Sequence, residues 1–140
     1  EITIRTYPTR LTEENAQEII SQYDIVVDGC DNFSTRYLIN DICAEMGKVY
    51  VYGAICGFEG QVSVFHYGEE KKSYRDLYPD EEEMRRMPPP PKGVMGITPA
   101  VTGSIEATEV LKIICGFGEV LSGKLWTIDL RTLQSNKFSL

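Results

Sequence analysis

The feature that most constrains the fold is a short apolar run at residues 25–27, which leads directly into a polar stretch and then into a helix signal. Because the run shows no polar alternation, it suits a central parallel strand covered on both faces. Asp28, Cys30, Asp31 and Asn32 then lie at the carboxyl end of that strand, where open α/β sheets bind ligands. An Asp or Asn before a helix also serves as a helix cap, so both roles stay open for Asp31 and Asn32.

The segments around this run predict alternating strands and helices. In the first part of the chain they are a strand at 1–7 ended by Pro8, a helix from Thr12 with Ala16, Ile19 and Ile20 facing inward, the strand at 24–28, and a helix at 33–46 with Leu38, Ile42 and Met46 inward and Gly47 as its end. This order indicates a parallel sheet with right-handed crossovers.

The second part predicts more strands and one long helix. They are strands at 48–54 and 61–67, either antiparallel neighbours or a bent pair, around a glycine-rich turn at 57–60, a surface crossover at about 68–97 that contains the prolines 88–91, a helix from Thr98 with Val101, Ile105, Thr108 and Leu111 on one face and Gly116 past its end, and a strand pair at 125–130 and 137–140. We therefore expect a single α/β domain over residues 1–140.

Composition excludes several classes of function. The formal net charge is −7 and no basic stripe is visible, which argues against a nucleic-acid partner. No apolar run approaches the roughly 20 residues of a membrane span and no secretory signal is seen, so the prediction is a cytoplasmic protein without a membrane partner. The four cysteines show no Cys-x-x-Cys spacing, which indicates neither a disulfide framework nor a zinc ribbon.

Five of these residues form a pattern, Asp-x-x-Asp-Asn-x-x-x-Arg-x-x-x-Asn, at Asp28, Asp31, Asn32, Arg36 and Asn40. Together with GAICGFEGQVSVF at 53–65 and GVMGITPAVTGSIEATEVLKII at 93–114, the pattern resembles the ThiF, MoeB and HesA family, relatives of ubiquitin-activating E1 enzymes. The resemblance covers nearly the whole chain.

The resemblance implies a Rossmann-like mixed sheet with helices on both faces. In the family a first strand carries a Gly-x-Gly-Gly nucleotide loop, and these 140 residues contain no such loop. We therefore expect the nucleotide-loop βα units to come from another polypeptide, a nicked parent chain or a second copy. Relatives in the family are commonly homodimers, so a homodimer is also expected.

The activity implied by the resemblance is ATP-dependent adenylylation of the C-terminal carboxylate of a ubiquitin-like sulfur carrier, as in thiamine or molybdopterin biosynthesis. ATP and Mg²⁺ are the implied cofactors. Asp31 matches the catalytic aspartate that binds the metal, and carboxylate oxygen is a ligand type that Mg²⁺ prefers. Arg36 matches a supporting catalytic position, although a structural ion pair remains an open role for it. Asp28, Cys30, Asn32 and Asn40 complete the implied cofactor-binding set.

The chain departs from the family in two places. Many members carry a zinc-binding Cys-x-x-Cys where this chain has SYRD at 73–76, so no zinc site is expected. Members that form a covalent link place a cysteine before the GVMG segment, where this chain has MPPPPK at 87–92. Cys30, at a helix N-terminus, is an alternative nucleophile with a lowered pKa. Inert burial is the competing role for Cys30, and also for Cys43, Cys56 and Cys115.

Three functions remain open from the sequence. The first is the sulfur-carrier adenylyltransferase, and the second is a non-catalytic module that binds a ubiquitin-like protein or a partner subunit. The third is a family enzyme that adenylates a peptide or a modified nucleoside. The glycines at 53 and 60 also have two open roles, lining a groove for the carrier tail together with Ala54 and residues 60–62, or allowing close backbone packing.

Overall fold

A computed structural model describes residues 1–89 and 93–140 of the chain. Five helices and five strands lie in this part of the chain. In order they are α1 Ala16–Ser21, β1 Ile25–Val27, α2 Phe33–Met46, β2 Val49–Cys56, β3 Glu59–Phe65, α3 Tyr74–Leu77, α4 Glu81–Arg86, α5 Ile97–Cys115, β4 Lys124–Asp129 and β5 Gln134–Ser139. The mixed α/β class is confirmed.

The five strands form one mixed sheet in the order β1-β2-β3-β4-β5. β1 pairs with β2 in parallel, and every later pair is antiparallel. β2 and β3 are joined by a tight turn in which Gly57 has φ +59°, a left-handed conformation that glycine adopts without strain. The predicted strand pairs at 48–54 with 61–67 and 125–130 with 137–140 are therefore confirmed, with bounds shifted by a few residues.

β1 lies at one edge of this sheet. Only β2 pairs with it among the described residues, and Val27 is 49% exposed. The prediction of a central strand is therefore wrong within the described chain, because apolar character alone does not show whether a strand has a neighbour on each side. Both faces of β1 do make core contacts, through Val26 on the α2 side and Ile25 on the α5 side. The parallel pairing of Ile25 with Val49 and of Val27 with Val51 agrees with the predicted βαβ step.

Helices cover both faces of the sheet. Tyr50, Tyr52 and Phe65 point to one face, where they form a core with α1, α2 and Tyr74 of α3. Val51, Val62 and Val64 alternate with them along the strands and point to the other face, where they pack against α5. The predicted arrangement of helices on both faces is confirmed.

α2 begins and ends where local signals predict. The Asn32 side chain accepts a hydrogen bond from the Thr35 amide and caps the first turn, and Gly47 ends the helix in the left-handed conformation with φ +63°. The buried face of α2 differs from the predicted one, however. It is formed by Arg36, Tyr37, Ile39, Asn40 and Cys43, whereas Leu38, Ile42 and Met46 are half-buried.

Two predictions for the start of the chain are wrong. Residues 1–7, all of them described, form no strand, because no neighbouring strand pairs with them and the alternating Ile2 and Ile4 are 84% and 77% exposed. The first helix begins at Ala16 and not at Thr12. The Asn15 side chain accepts from the Thr12 amide, so residues 12–15 form a turn that precedes the helix.

The crossover at 68–97 is more ordered than a surface loop. It contains α3 and α4, and the Tyr74 ring is fully buried against Tyr37 and Tyr52. Residues 90–92, which include the last two prolines of the predicted stretch, lie outside the described residues.

The predicted face of α5 points inward only in part. Ile105 packs against the core and Val101 is half-buried, whereas Thr108 and Leu111 are exposed. The buried residues are Thr98, Thr102, Glu106 and Glu109, whereas Leu111 is 53% exposed. Over the ranges that the structure covers, no helix combines the length and apolar character needed to span a membrane.

Candidate active site

The loop between β1 and α2 carries four of the predicted site residues. β1 ends where the Asp28 amide donates to the Val51 carbonyl at 2.9 Å. The Asp28 carboxylate then accepts from the Cys30 amide at 2.7 Å, and this bond turns the chain toward α2. The predicted position of these residues, at the carboxyl end of a parallel strand and the start of a helix, is what the structure shows.

Arg36 forms a buried ion pair with Asp28. The Arg36 Nε atom lies 2.9 Å from Asp28 Oδ2, and the Tyr50 hydroxyl donates to the same oxygen at 2.9 Å. The Arg36 Nη2 atom donates to the carbonyls of Cys30 at 2.5 Å and Gly53 at 3.4 Å. Arg36 thus bridges the loop and β2 at the point where β1 has ended.

Electrostatics keep this arginine charged. Burial alone would lower the pKa of Arg36, but the charge of Asp28 and its hydrogen bond outweigh burial and raise that pKa. Arg36 is therefore a cation at neutral pH, held 2.9 Å from the Asp28 carboxyl group. The structural role left open for Arg36 is thus present, and this side chain also borders the cavity described below.

Asp31 is exposed, in contrast to Asp28. The Asn32 side-chain amide donates to Asp31 Oδ1 at 3.0 Å, and this bond, with a backbone hydrogen bond, lowers the pKa of Asp31. Asp31 therefore presents a carboxylate to solvent at neutral pH. Asn32 has the capping role that the sequence left open, because its oxygen accepts from the Thr35 amide, and its nitrogen donates to Asp31.

The cysteines correct one expectation about reactivity. Burial, followed by the charge of Asp28, raises the pKa of Cys30 to about 12, so its position at a helix N-terminus does not make it a thiolate. Cys43 is buried and its pKa is also raised to about 12 by burial. Cys56 and Cys115 are exposed, so the prediction of burial is wrong for these two.

Asn40 lies apart from the other predicted site residues. Its side chain is 1% exposed, and its Oδ1 atom lies 2.9 Å from the Tyr74 amide, 3.2 Å from Ser73 Oγ and 3.0 Å from His66 Nε2. Asn40 therefore joins α2 to the segment that begins at Ser73. It does not line the cavity beside Asp31.

The residues at 73–76, where relatives in the family carry a zinc-binding pair, have other partners here. Ser73 and Asp76 form a capping box at the start of α3. The Arg75 guanidinium binds Asp41 at 2.6 Å and Glu81 at 2.9 Å. Across residues 1–89 and 93–140 there is no cluster of three or more His, Cys, Asp or Glu side chains suited to a metal ion.

A cavity of about 1130 Å³ opens beside the loop. The site residues that line it are Gly29, Cys30, Asp31, Asn32 and Arg36. Ala54, Gly60 and Gln61 also line it, whereas Gly53 and Val62 do not. The volume is sufficient for a nucleotide. The exposed carboxylate of Asp31 fits the way proteins hold Mg²⁺, with one or two carboxylates and the oxygens of a substrate phosphate.

Sequence reasoning gave Gln61 as a candidate lining residue but missed the tyrosines that bind it in the wall of this cavity. The Gln61 side-chain amide donates to the hydroxyls of Tyr52 at 2.6 Å and Tyr78 at 2.9 Å. The Arg36 guanidinium stacks over the Tyr52 ring, with 5.7 Å between its central carbon and the ring centroid. No local signal marks these residues, because the sheet and the crossover bring them together from three separate segments.

Sequence reasoning also missed Glu106. Added Cβ atoms on Gly53 and Gly60 would overlap the side chains of Glu106 and Thr102, so the two glycines permit α5 to approach the sheet closely. The close-packing role left open for these glycines is therefore present. Burial, followed by the charge of Asp28, raises the pKa of Glu106 to about 7, while Arg36 acts in the opposite direction.

Solved structures share the fold of this chain. The crystal structure of E. coli MccB with MccA superposes with a TM-score of 0.71 at 17% identity, over 95% of this chain and 41% of that chain. PaaA superposes with a TM-score of 0.68 at 12% identity, over 90% of this chain and 38% of that chain. At these identities the likeness concerns the fold.

Sequence comparison gives closer relatives. A probable molybdopterin-synthase adenylyltransferase of Pyropia yezoensis is 46% identical over 139 residues, which cover 98% of this chain and 36% of that protein. The sulfur carrier protein adenylyltransferase of Thermus thermophilus is 46% identical over 140 residues, which cover 91% of this chain and 49% of that protein. The chain thus spans between a third and a half of the length of these relatives. The ThiF family matches residues 1–140, and the chain belongs to that family.

Proposed function

We propose that the protein containing this chain catalyses ATP-dependent adenylylation of the C-terminal carboxylate of a ubiquitin-like sulfur carrier. The observation that carries the proposal is the ionised Asp31 carboxylate at the rim of a cavity of nucleotide size. The names of the two relatives, a molybdopterin-synthase adenylyltransferase and a sulfur carrier protein adenylyltransferase, support the same reaction class.

In this reaction a carrier carboxylate oxygen attacks the α-phosphorus of ATP. The bond from that phosphorus to the bridging oxygen of the β-phosphate breaks, pyrophosphate leaves, and an acyl-adenylate remains. Bound Mg²⁺ supplies positive charge that offsets the charge of the phosphate oxygens. Asp31 would hold the metal, and Asn32 orients the Asp31 carboxylate through its 3.0 Å hydrogen bond.

Arg36 supports this site by holding the loop between β1 and α2 in place. Its guanidinium is engaged with Asp28, with two backbone carbonyls and with the Tyr52 ring. We assign it the role of fixing the path of residues 28–32, so that Asp31 faces the cavity. Because the loop is already held in position, its groups need to reorganise less when charge develops during the reaction.

The test is ATP–pyrophosphate exchange by the whole protein that contains this chain, with a carrier that ends in Gly-Gly. Carriers from thiamine and from molybdopterin biosynthesis are compared as substrates. We expect Asp31→Ala to lower exchange by about 100-fold or more, the magnitude seen when a charge-stabilising group is removed. Asp24→Ala is the matched control, since Asp24 is an exposed aspartate at the opposite end of β1.

Full exchange in Asp31→Ala would contradict the assignment of this residue. Carrier binding without any exchange, unchanged by ATP or by Asp31→Ala, would instead identify a non-catalytic binding module. Exchange that requires a peptide or nucleoside acceptor in place of the carrier would identify a different substrate. Light scattering of the same purified protein tests whether it forms the homodimer that the family resemblance implies.

A further inference from the structure

The buried carboxyl group of Glu106 has no role in the proposed reaction. Glu106 is 6% exposed, and its Oε1 atom has no hydrogen-bond partner among the described residues. An unpartnered buried polar group is uncommon and destabilising, so it calls for a physical reason. The Thr102 hydroxyl, one helical turn earlier on the same face, is also without a partner within the described ranges.

Glu109 shows that burial on this helix does not by itself leave a carboxyl group unpartnered. Glu109 is 1% exposed, yet its carboxylate binds the Lys112 ammonium and accepts from the Leu121 amide at 2.8 Å. Its charge is therefore compensated locally. Glu106 has no such lysine or amide partner, and the charged groups that act on it are Asp28 and Arg36.

The strands opposite Glu106 contribute no charge. Gly53 of β2 lies directly against the Glu106 carboxyl group, and Gly60 of β3 lies against Thr102. The valines of this face, at 51, 62 and 64, are apolar. The electrostatic environment of Glu106 is therefore set by the Asp28 and Arg36 pair at the end of β1.

A chain of contacts leads from Glu106 to the loop that carries Asp31. Glu106 packs on Gly53, and the Gly53 carbonyl accepts from Arg36 Nη2 at 3.4 Å. Arg36 Nε binds Asp28, and the same Asp28 carboxylate accepts from the Cys30 amide at 2.7 Å. A change of charge on Glu106 can thus alter the balance between the attraction of the Arg36 guanidinium to Asp28 and its attraction to Glu106 on α5.

We propose that Glu106 is a positioning residue for the loop at 28–32 and that it acts through Arg36. Neutral Glu106 leaves Arg36 with Asp28 and keeps the Cys30 amide on the Asp28 carboxylate. Ionised Glu106 attracts the guanidinium toward α5 and weakens the bond between Asp28 and Cys30. The consequence for catalysis rests on the proposed function, whereas the structural linkage does not.

This linkage has a defined pH range. Because the pKa of Glu106 is raised to about 7, the group changes charge near neutral pH, well above the usual range of a glutamate. The loop is in its ordered form below this pH and loosens above it. The exchange activity is therefore expected to fall as the pH rises through 7, in proportion to the neutral fraction of Glu106.

The first experiment measures the loop without any activity. The whole protein is labelled with ¹⁵N-cysteine, and the Cys30 amide signal, assigned by its loss in Cys30→Ala, is followed by NMR from pH 5.5 to 8.5. We expect a one-proton transition with a midpoint near 7, with the amide proton moving upfield as its hydrogen bond weakens. Glu106→Gln should remove this transition and hold the signal at its low-pH position.

Two further variants make the result specific. Glu106→Met, which is also uncharged, should remove the transition as well, so the outcome does not depend on one substitution. Glu109→Gln removes a paired carboxylate three residues away and should leave the Cys30 transition in place. Survival of the transition in both Glu106 variants, or its absence from the wild-type protein, would overturn the proposal.

The second experiment compares exchange rates. The ratio of kcat/KM in Glu106→Gln to that in the wild type should rise from about 1 at pH 6 to about 30 at pH 8.5, as a group titrating near 7 requires. A flat ratio beside a normal Cys30 transition would overturn the catalytic part of the proposal alone. Absence of exchange in every variant beside a normal transition would instead contradict the proposed function.

Discussion

Replacement of Asp28 by alanine should destabilise the protein severely. Asp28 is buried and binds three donors, the Arg36 guanidinium, the Tyr50 hydroxyl and the Cys30 amide. Removing one member of a buried ion pair costs about 3–5 kcal/mol, because the other charge stays buried without compensation. The Arg36 bonds to two backbone carbonyls remain and limit the loss. We therefore expect Asp28→Ala to lower the free energy of unfolding by about 4 kcal/mol.

The assay is urea unfolding followed by circular dichroism, with Arg36→Met and the double variant measured alongside. Because the two side chains share one interaction, the double variant should lose about 1–3 kcal/mol less than the sum of the single variants. Asp24→Ala, at an exposed position just before the same strand, should change the free energy of unfolding by less than about 0.5 kcal/mol. A loss below about 1 kcal/mol in Asp28→Ala, or strict additivity in the cycle, would refute the buried pair.

Three other predictions follow from contacts described above. Since the folded state raises the pKa of Glu106 from 4.5 to about 7, the folded protein binds this proton more tightly than the unfolded chain does. Glu106→Gln should thus equal the wild type in unfolding free energy below pH 4.5, and exceed it by about 3 kcal/mol above pH 7 in urea titrations; equal curves at pH 8 would contradict this. Asn40→Ala removes the acceptor of the Tyr74 amide. Because this hydrogen bond holds the crossover to α2, its loss should speed tryptic cleavage in the crossover about tenfold; an unchanged rate would contradict a stabilising role for this hydrogen bond. Iodoacetamide at pH 8 should modify exposed Cys56 about 100-fold faster than Cys30, as mass spectrometry would detect; equal rates would contradict the burial of Cys30.

Sequence reasoning succeeded where the decisive signals were local. The cap at Asn32 and the stop at Gly47 determine α2 within a single segment, so both of its ends could be predicted. The loop at 28–32 followed from an apolar strand next to a helix start. These signals depend on neighbouring residues and need no knowledge of the tertiary structure.

It failed where tertiary contacts decide the outcome. The apolar residues of α5 suggested an inner face with Leu111, but Gly53 and Gly60 bring the helix close to the sheet and leave room for Thr102 and Glu106 there. The signal that could have indicated this face was the spacing of three polar or small residues at 98, 102 and 106, beside two glycines in adjacent strands. The prediction followed the apolar periodicity of α5 instead. It failed because such periodicity does not identify the surface that a helix packs against.

The position of Arg36 affects how mutational data on this protein should be interpreted. On the proposed function, a scan that records only growth or turnover would place Arg36 beside Asp31, because changes at either residue are expected to lower the signal. The two losses are expected to differ in origin. Arg36 is buried in an ion pair, so its variants should reduce the amount of folded protein, whereas Asp31 is exposed, so its variants should leave abundance intact. Parallel measurement of cellular abundance separates them, and only positions that lose turnover at normal abundance belong to the chemistry.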